Sequence, residues 1–337
     1  MPSFFKVLLS IFVFFIGLAA LAVGGGAYYA HNQFTQAGPL QEVTLFTVKR
    51  GAHIGSVAGD LENAGIITNP LIFKHMGKVT GQAEKIKAGE YEFVAHMSMK
   101  DILDKLEGGD VFARQVTLRE GLTNYEIGRI LLQQKDLEAE IARKYPEGYL
   151  LPETYSYARG DSNVDIIDRM AAAMEKVLDE AWKNRAQGLP IKTKEEALVL
   201  ASIIEKETAV ASERRKVAGV FINRLRKGIA LQSDPTVIYA LTDGKPKNDG
   251  KGPLGRRLLK KDLSYDSPYN TYKYRGLPPT PIANPGKASI EAALNPEKHK
   301  YIYFVADGSG GHAFAKTLAE HNRNVAKWRR IRRQKGH

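Results

Sequence analysis

At 337 residues, 43% of them hydrophobic, the chain is long enough for two domains with real cores, which excludes a disordered protein. The absence of cysteine excludes disulfides, Cys-ligated zinc, iron–sulfur clusters and a thiol nucleophile, and says nothing of the compartment. Lys and Arg number 49 against 37 Asp and Glu; this net charge of +12 suits an anionic membrane surface, a carboxylate-rich polymer or nucleic acid, or simply a soluble surface.

Val7 to Tyr29 is a run of 23 residues without a charge, enough to cross a bilayer as a helix with some tilt. A cleaved signal peptide would have a shorter apolar core, and Tyr28-Tyr29 followed by His31 is a poor small-residue cleavage site, so a retained anchor is expected. Lys6 and the amino terminus precede the span, and no Lys or Arg follows until Lys49. The charge bias places residues 1–6 in the cytoplasm and the remainder outside, with Tyr28 and Tyr29 at the outer interface.

Residues 30–42 read as a linker, with a polar tether up to Leu40 that contains Gly38-Pro39; Val43 to Val48 then alternates as a strand does. Ile54, Val57, Ala58 and Leu61 have helical spacing, with Gly65 as the stop. Seventy positions on, Val116 to Gly121 leads into a second such helix, aligning Gly51 with Gly121, Val57 with Ile127 and Leu61 with Leu131; this is a weak internal repeat, or a shared need for Gly in a strand-to-helix turn. Between the copies the pattern predicts a helix near Leu71 to Val79, a strand near Gly89 to Phe93, and a helix over Met99 to Leu106 ended by Gly108-Gly109.

Glu147 to Tyr155 (EGYLLPETY) is either a fixed loop lining a cleft or a well-packed turn. Ser162 caps a helix whose Val164, Ile167, Met170, Met174, Val177 and Ala181 form a core stripe. Thr193 to Val210 reads as a buried helix, capped by Thr193 with Glu196 as the returning member of a capping box. At 100° per residue, Leu200, Ile203 and Ile204 share a face, with Glu207 between the two isoleucines and Glu205 pointing away. A carboxylate on an apolar stripe must find a partner or take a raised pKa, which is how a general acid is made. The plainer alternative is a helix-end Glu207 that reaches solvent or pairs with Lys206 or Arg214.

Ser212 is the candidate cap of the next helix, which carries Asn223 and Arg224 near its far end, where they either brace a ligand or satisfy loop carbonyls. Gln232 and Asp234 precede Pro235, and Asp234 reads as the cap of a short helix. Lys245 to Lys261 is a basic Gly-rich loop. Ser264 to Gly286 combines Tyr265, Tyr269, Tyr272 and Tyr274 with five prolines, excluding helix and long strand; its tyrosines are either faces for sugar rings or core residues. Tyr301 to Ala306 is a strand and Asp307 to Gly311 a turn. His312 and His321 lack carboxylates at ligand spacing, so no metal site is expected, and the tail from Trp328 is a basic helix end.

With ASIIEKETAVASER, VFINRL, LQSDPTVIYAL, YNTY, GLPPTPIANPG and YFVADGSGGHAF in order, together with EGYLLPETY and the anchor, the chain closely resembles the endolytic murein transglycosylases of the YceG-like (MltG) family. The resemblance implies an α+β chain: a single transmembrane helix, a small LysM-like module over residues 43–110, and a mixed α/β catalytic domain over 111–337 in which a buried helix carries the catalytic glutamate. That glutamate is the second of the EKET motif, here Glu207, the residue that helical geometry also selects.

The implied reaction needs no cofactor. Glu207 protonates the oxygen between MurNAc and GlcNAc, then takes the proton of the MurNAc C6 hydroxyl as that hydroxyl closes onto C1, giving a 1,6-anhydro end. A hydrolase would need a second carboxylate, for which Glu205, Asp234 or Glu153 can be named. Substrate or supporting contacts are assigned to Glu205, Asn223, Gln232, Asp234, Tyr269, Asn270 and Tyr272. The expected partners are peptidoglycan strands, the bilayer through residues 7–29, and peptidoglycan synthases. Two other classes remain: a non-catalytic, membrane-tethered glycan-binding scaffold, and a membrane-anchored nucleic-acid binder, for which no recognised motif accompanies the basic runs.

Overall fold

The computed structural model describes residues 2–140, 144–247 and 252–334. Helices and small two-stranded sheets form two compact units, Met1–Arg114 and Gln115–His337.

The first unit begins with α1 (Pro2–Thr35), whose stretch Phe4–Thr35 is long and apolar enough to cross a membrane. The expected tether is helical over its first half, because Ala30 to Thr35 contains neither Pro nor Gly and Phe34 gains a buried site; the helix ends before Gly38-Pro39. Phe34 and Leu40 join the core of this unit. Strand β1 (Thr44–Val48) pairs antiparallel with β2 (Gly89–Phe93), in a register that sets Thr44 opposite Phe93 and Val48 opposite Gly89. Between them lie α2 (Ile54–Asn63) and α3 (Pro70–Val79), and α4 (Met99–Gly108) follows.

Each of these helices is delimited by side-chain chemistry. The imidazole of His53 accepts the Ser56 N–H, the Asn69 side chain accepts that of Ile72 ahead of Pro70, and the Ser98 hydroxyl accepts that of Asp101. Gly109, at φ +71°, closes α4 in the left-handed conformation. Ile54, Val57, Ala58 and Leu61 of α2 meet Phe73, Tyr91, Phe93, Ile102 and Leu106 in one core, where each large side chain contributes about 1.5–3 kcal/mol of burial.

The second unit is built around α7 (Lys194–Glu207). Every residue from Ala197 to Ile204 is buried, so the helix has no solvent face along its middle, and α6 (Asn163–Lys183), α8 (Arg214–Arg226), α9 (Asp234–Thr242) and α10 (Lys287–Leu294) pack against it or one another. Thr193 caps it as expected, but the Glu196 carboxylate returns to the N–H of Lys192 rather than to that of Thr193. Ser162 caps α6 through a complete capping box with Asp165, and its buried stripe runs through Ile166, Ile167, Met170, Met174, Leu178 and Ala181. Ser212 does not cap α8: it lies in a 3₁₀ turn, Ala211–Glu213, and α8 starts without a side-chain cap.

Strands β3 (Arg114–Thr117) and β4 (Thr154–Tyr157) pair, with α5 (Asn124–Leu131) after β3. The two aligned turns share more than a glycine: Gly51 and Gly121 both have φ +78°, and each is followed two residues later by the N-cap of its helix, His53 or Thr123. Val57 and Leu61 are buried in one copy, as are Ile127 and Leu131 in the other. The expected carboxy-terminal strand is β5 (Tyr303–Ala306), which pairs antiparallel with a further strand, β6 (His312–Ala315), and the exposed basic helix α11 (Leu318–Gln334) follows. Residues 248–251 of the basic loop and 335–337 of the tail lie outside the described residues.

Candidate active site

Glu207 is the last residue of α7, and the chain leaves the helix at once, with Thr208 extended at φ −143°, ψ 127°. Its carboxyl opens into a cleft of about 540 Å³ that Arg224, Gln232, Asp234, Tyr272, Tyr303 and His321 also line. Burial pushes the Glu207 carboxyl up to about 7. A hydrogen bond from Ser233 and the charge of Arg224 act against that rise, while the Asp234 carboxylate adds to it. The ion-paired alternative for Glu207 does not hold: Lys206 donates to the Gly121 carbonyl, and Arg214 lies against Glu120 and Glu205.

The Ser233 hydroxyl donates to Glu207 Oε1 over 2.6 Å, and Ser233 is buried. Ser233, not Asp234, is the N-cap residue of α9, and it makes no side-chain cap bond because its hydroxyl is committed to the glutamate. Asp234 is the first helical residue, with its carboxylate turned to the cleft, where it accepts the Tyr272 hydroxyl at 2.6 Å. Burial and that hydrogen bond push the Tyr272 phenol well above its usual range, so it remains a donor. The loop before α9 makes a tight reversal, with Gln232 at φ +54°, a conformation that costs a non-glycine residue energy and is over-determined here by the Gln232 N–H to Thr271 carbonyl bond.

Arg224 reaches the cleft from α8. Its guanidinium donates to the carbonyls of Ile302, Ala230 and Leu231, which fixes the charge beside Glu207 without forming an ion pair with it. His321 comes from α11; its ring stacks on Tyr303 with centroids 5.0 Å apart, and its buried Nδ1 has no hydrogen-bond partner. Burial and then Arg224 hold the imidazole pKa low.

Several expected contacts lie elsewhere. Glu205 is not a surface group: its side chain is 7% exposed, Oε2 accepts the Gly286 N–H at 3.0 Å, and Arg214 stands 3.8 Å from Oε1. A Cβ on Gly286 would meet the Glu120 side chain, which would have to move aside to admit it. Asn223 satisfies loop carbonyls: its amide donates to those of His299 and Tyr301. Asn270 is fully buried and donates to the carbonyls of Leu263 and Tyr265, shaping the tyrosine loop from inside. Tyr269 packs against Tyr239 and bonds Thr280, so of the loop's four tyrosines only Tyr272 lines the cleft. Glu153 is exposed and outside it.

Sequence reasoning missed Ser233 and His321. Ser233 stood between two residues that were singled out, and its preference for an N-cap position was the available signal; nothing local marked His321. Among the described residues no group of three or more His, Asp or Glu side chains could hold a metal ion.

The YceG-like family model matches residues 46–327. The chain belongs to the YceG-like family. It is 32% identical over 340 residues to the endolytic murein transglycosylase of Bacillus subtilis (strain 168), covering 91% of each chain. It is 30% identical to the endolytic murein transglycosylase of Streptococcus pneumoniae serotype 2, covering 93% of this chain and 64% of that one. The crystal structure of a putative yceG-like protein from Listeria monocytogenes superposes with a TM-score of 0.52 at 33% identity, over 84% of this chain and 98% of that one. Within this YceG-like chain, the cleft that contains Glu207 draws on α7, α8, the start of α9, the tyrosine loop, β5 and α11.

Proposed function

We propose that this protein is an endolytic murein transglycosylase, the activity for which its relatives are named, and that Glu207 is its acid and base. The observation that carries the assignment is the Glu207 carboxyl, which burial pushes up to about 7, facing a cleft of about 540 Å³. A carboxylic acid that is half protonated near neutral pH can give a proton and then take one back.

In the first step Glu207 protonates the glycosidic oxygen between MurNAc and the following GlcNAc, and the C1–O bond breaks to leave an oxocarbenium-like C1. The Ser233 hydroxyl holds Oε1, which leaves Oε2 to face the substrate. The Asp234 carboxylate, held by Tyr272, supplies negative charge to the same cleft where positive charge develops. In the second step Glu207, now ionised, takes the C6 hydroxyl proton as that oxygen bonds C1. The products are a 1,6-anhydroMurNAc end and a GlcNAc end, and no water is consumed.

Hydrolysis is the second reading, favoured by one feature: Asp234 lines the same cleft and is a second carboxylate. Cleavage of purified glycan strands in ¹⁸O-labelled water decides between them. Unlabelled 1,6-anhydro ends are expected; labelled reducing ends would refute the transglycosylase reading.

The chain is further read as a single-pass inner-membrane protein with a cytoplasmic amino terminus and a periplasmic site, which the two charges ahead of the span support. The first unit is assigned to glycan engagement as a LysM-like module, on the strength of its small α+β build. Peptidoglycan synthases are the protein partners that such a placement suits, since cutting nascent strands limits their length. Protease added to intact spheroplasts should digest residues beyond the span; protection of the whole chain would refute the orientation.

A further inference from the structure

The helix that precedes the first unit's fold does not end where the apolar run does. α1 continues without a break to Thr35, and Phe34 is buried in the same core as Leu61, Phe73 and Tyr91. If α1 spans a bilayer, the first unit therefore stands on it as a rigid extension. Tyr28 and Tyr29, both exposed, have the amphipathic rings that settle at the membrane–water interface. The interfacial layer is about 5–7 Å thick on each side, and a helix rises 1.5 Å per residue, so Ala30 lies within that layer.

Ala30 forms one wall of a groove of about 460 Å³ whose other wall is α3, contributing Leu71, Lys74, His75 and Lys78. At 100° per residue these four positions and Val79 fall within an arc of about 140°, opposite the buried Phe73 and Gly77. The arc contains no acidic residue, and among the described residues no carboxylate pairs with Lys74 or Lys78. It also exposes two large apolar side chains, Leu71 at 76% and Val79 at 68%. Apolar and basic groups on one face at interfacial depth form the pattern by which a helix lies on an anionic bilayer.

We propose that this face of α3, with the groove beside Ala30, is a second membrane contact that takes the phosphate headgroups of anionic phospholipids in the bilayer crossed by α1. Lys74 and Lys78 pair with the phosphates, and Leu71 and Val79 enter the acyl boundary. The contact rests on the reading of α1 as a span, and it fixes the tilt of the first unit against the surface.

The chain has no cysteine, so single labelling sites can be introduced cleanly. Full-length Val79→Cys and Ile16→Cys proteins, each carrying a nitroxide, would be reconstituted in phosphatidylcholine vesicles with and without phosphatidylglycerol. Accessibility to oxygen is then compared with accessibility to a neutral water-soluble nickel chelate. Ile16 should report lipid in both vesicles, and Val79 should report lipid only with phosphatidylglycerol. Lys74→Gln and Lys78→Gln should each weaken the Val79 signal about fivefold, with less effect at high salt. A lipid-exposed Ile16 with a fully water-exposed Val79 in anionic vesicles would overturn the contact and leave the span intact. Water exposure at both sites would overturn span and contact together. Protection of Val79 that rises with the protein-to-lipid ratio would mark a second copy of the chain as the occupant and overturn the lipid assignment.

Discussion

The Ser233 hydroxyl and the Glu207 carboxyl are joined by a 2.6 Å hydrogen bond across the end of α7, with the hydroxyl as donor. A donor favours the ionised carboxylate, whereas the Asp234 charge in the same cleft disfavours it, so Glu207 stands between opposed neighbours on top of its burial. Ser233→Ala should move the alkaline limb of kcat upward in pH, and Asp234→Asn should move it downward. Both shifts are read from pH–rate profiles of strand cleavage. Coincident limbs in the two variants would show that another group controls the protonation.

Glu207→Gln should abolish cleavage with the fold intact. The amide can neither give the first proton nor take the second, and positioned acid–base catalysis is worth about 10²–10⁴-fold, so a loss near or beyond the upper end is expected. At 1.36 kcal/mol per decade this is about 5 kcal/mol in the barrier. Product analysis by mass spectrometry checks it.

The same substitution has a stability signature whose sign follows from linkage. The folded pKa of Glu207, about 7, lies above the model-compound value of 4.5, so the fold holds a proton that the unfolded chain releases in that window. Stability is therefore lost as pH rises from about 4.5 to 7 and stays lower above that, by about 3 kcal/mol. Glu207→Gln removes this loss. Denaturant unfolding should show the variant gaining on the unaltered protein between pH 5 and 8.

Glu147 provides the contrast. Burial pushes its carboxyl up to about 7 as well, yet it lies outside the Glu207 cleft, accepting the Asn124 N–H at 2.8 Å and standing 3.5 Å from the Tyr239 hydroxyl. A glutamine can keep both contacts. Glu147→Gln should flatten the same pH window of stability by a similar amount while leaving kcat nearly unchanged. A large loss of activity in a folded variant would give Glu147 a part in the reaction.

Glu205→Gln separates the two acids of the EKET motif. The amide oxygen can still accept the Gly286 N–H, but the attraction to Arg214 is lost, and leaving a buried partner incompletely compensated costs about 1–3 kcal/mol. Thermal unfolding should fall while substantial cleavage remains. Equal inactivation by Glu205→Gln and Glu207→Gln would remove the distinction between them.

Much of this was legible in the chain because short-range rules governed it. Strand β2 and the amino-terminal boundaries of α4, α6 and α7 follow from caps and spacing that act within four residues. Glu207 was legible for the same reason: its place on the Ile203–Ile204 face is a matter of helical rotation. The surroundings of Glu205 were not legible, because rotation gives direction but not what waits there, and Gly286, which meets it, lies 81 residues away. Only the cap reading of Asp234 failed: Ser233 takes that position, and the Tyr272 hydroxyl that holds the Asp234 carboxylate lies too far along the chain to leave a trace in the pattern. His321 reaches the cleft only through the fold, and no periodicity encodes that.

Asn284 is fully buried and ties together segments far apart in the chain: it accepts the Leu150 N–H and donates to the Leu122 carbonyl and the Asn124 side chain, partners 134 to 162 residues earlier. During synthesis at about 5–20 residues per second, the segment around Leu122 waits roughly 8–30 s before its clasp leaves the ribosome. The core of the first unit is drawn from residues between Phe34 and Leu106 and has no such delay. A chain interrupted before Asn284 therefore leaves Leu122, Asn124 and Leu150 without the clasp that joins them, while every core residue of the first unit has already been made.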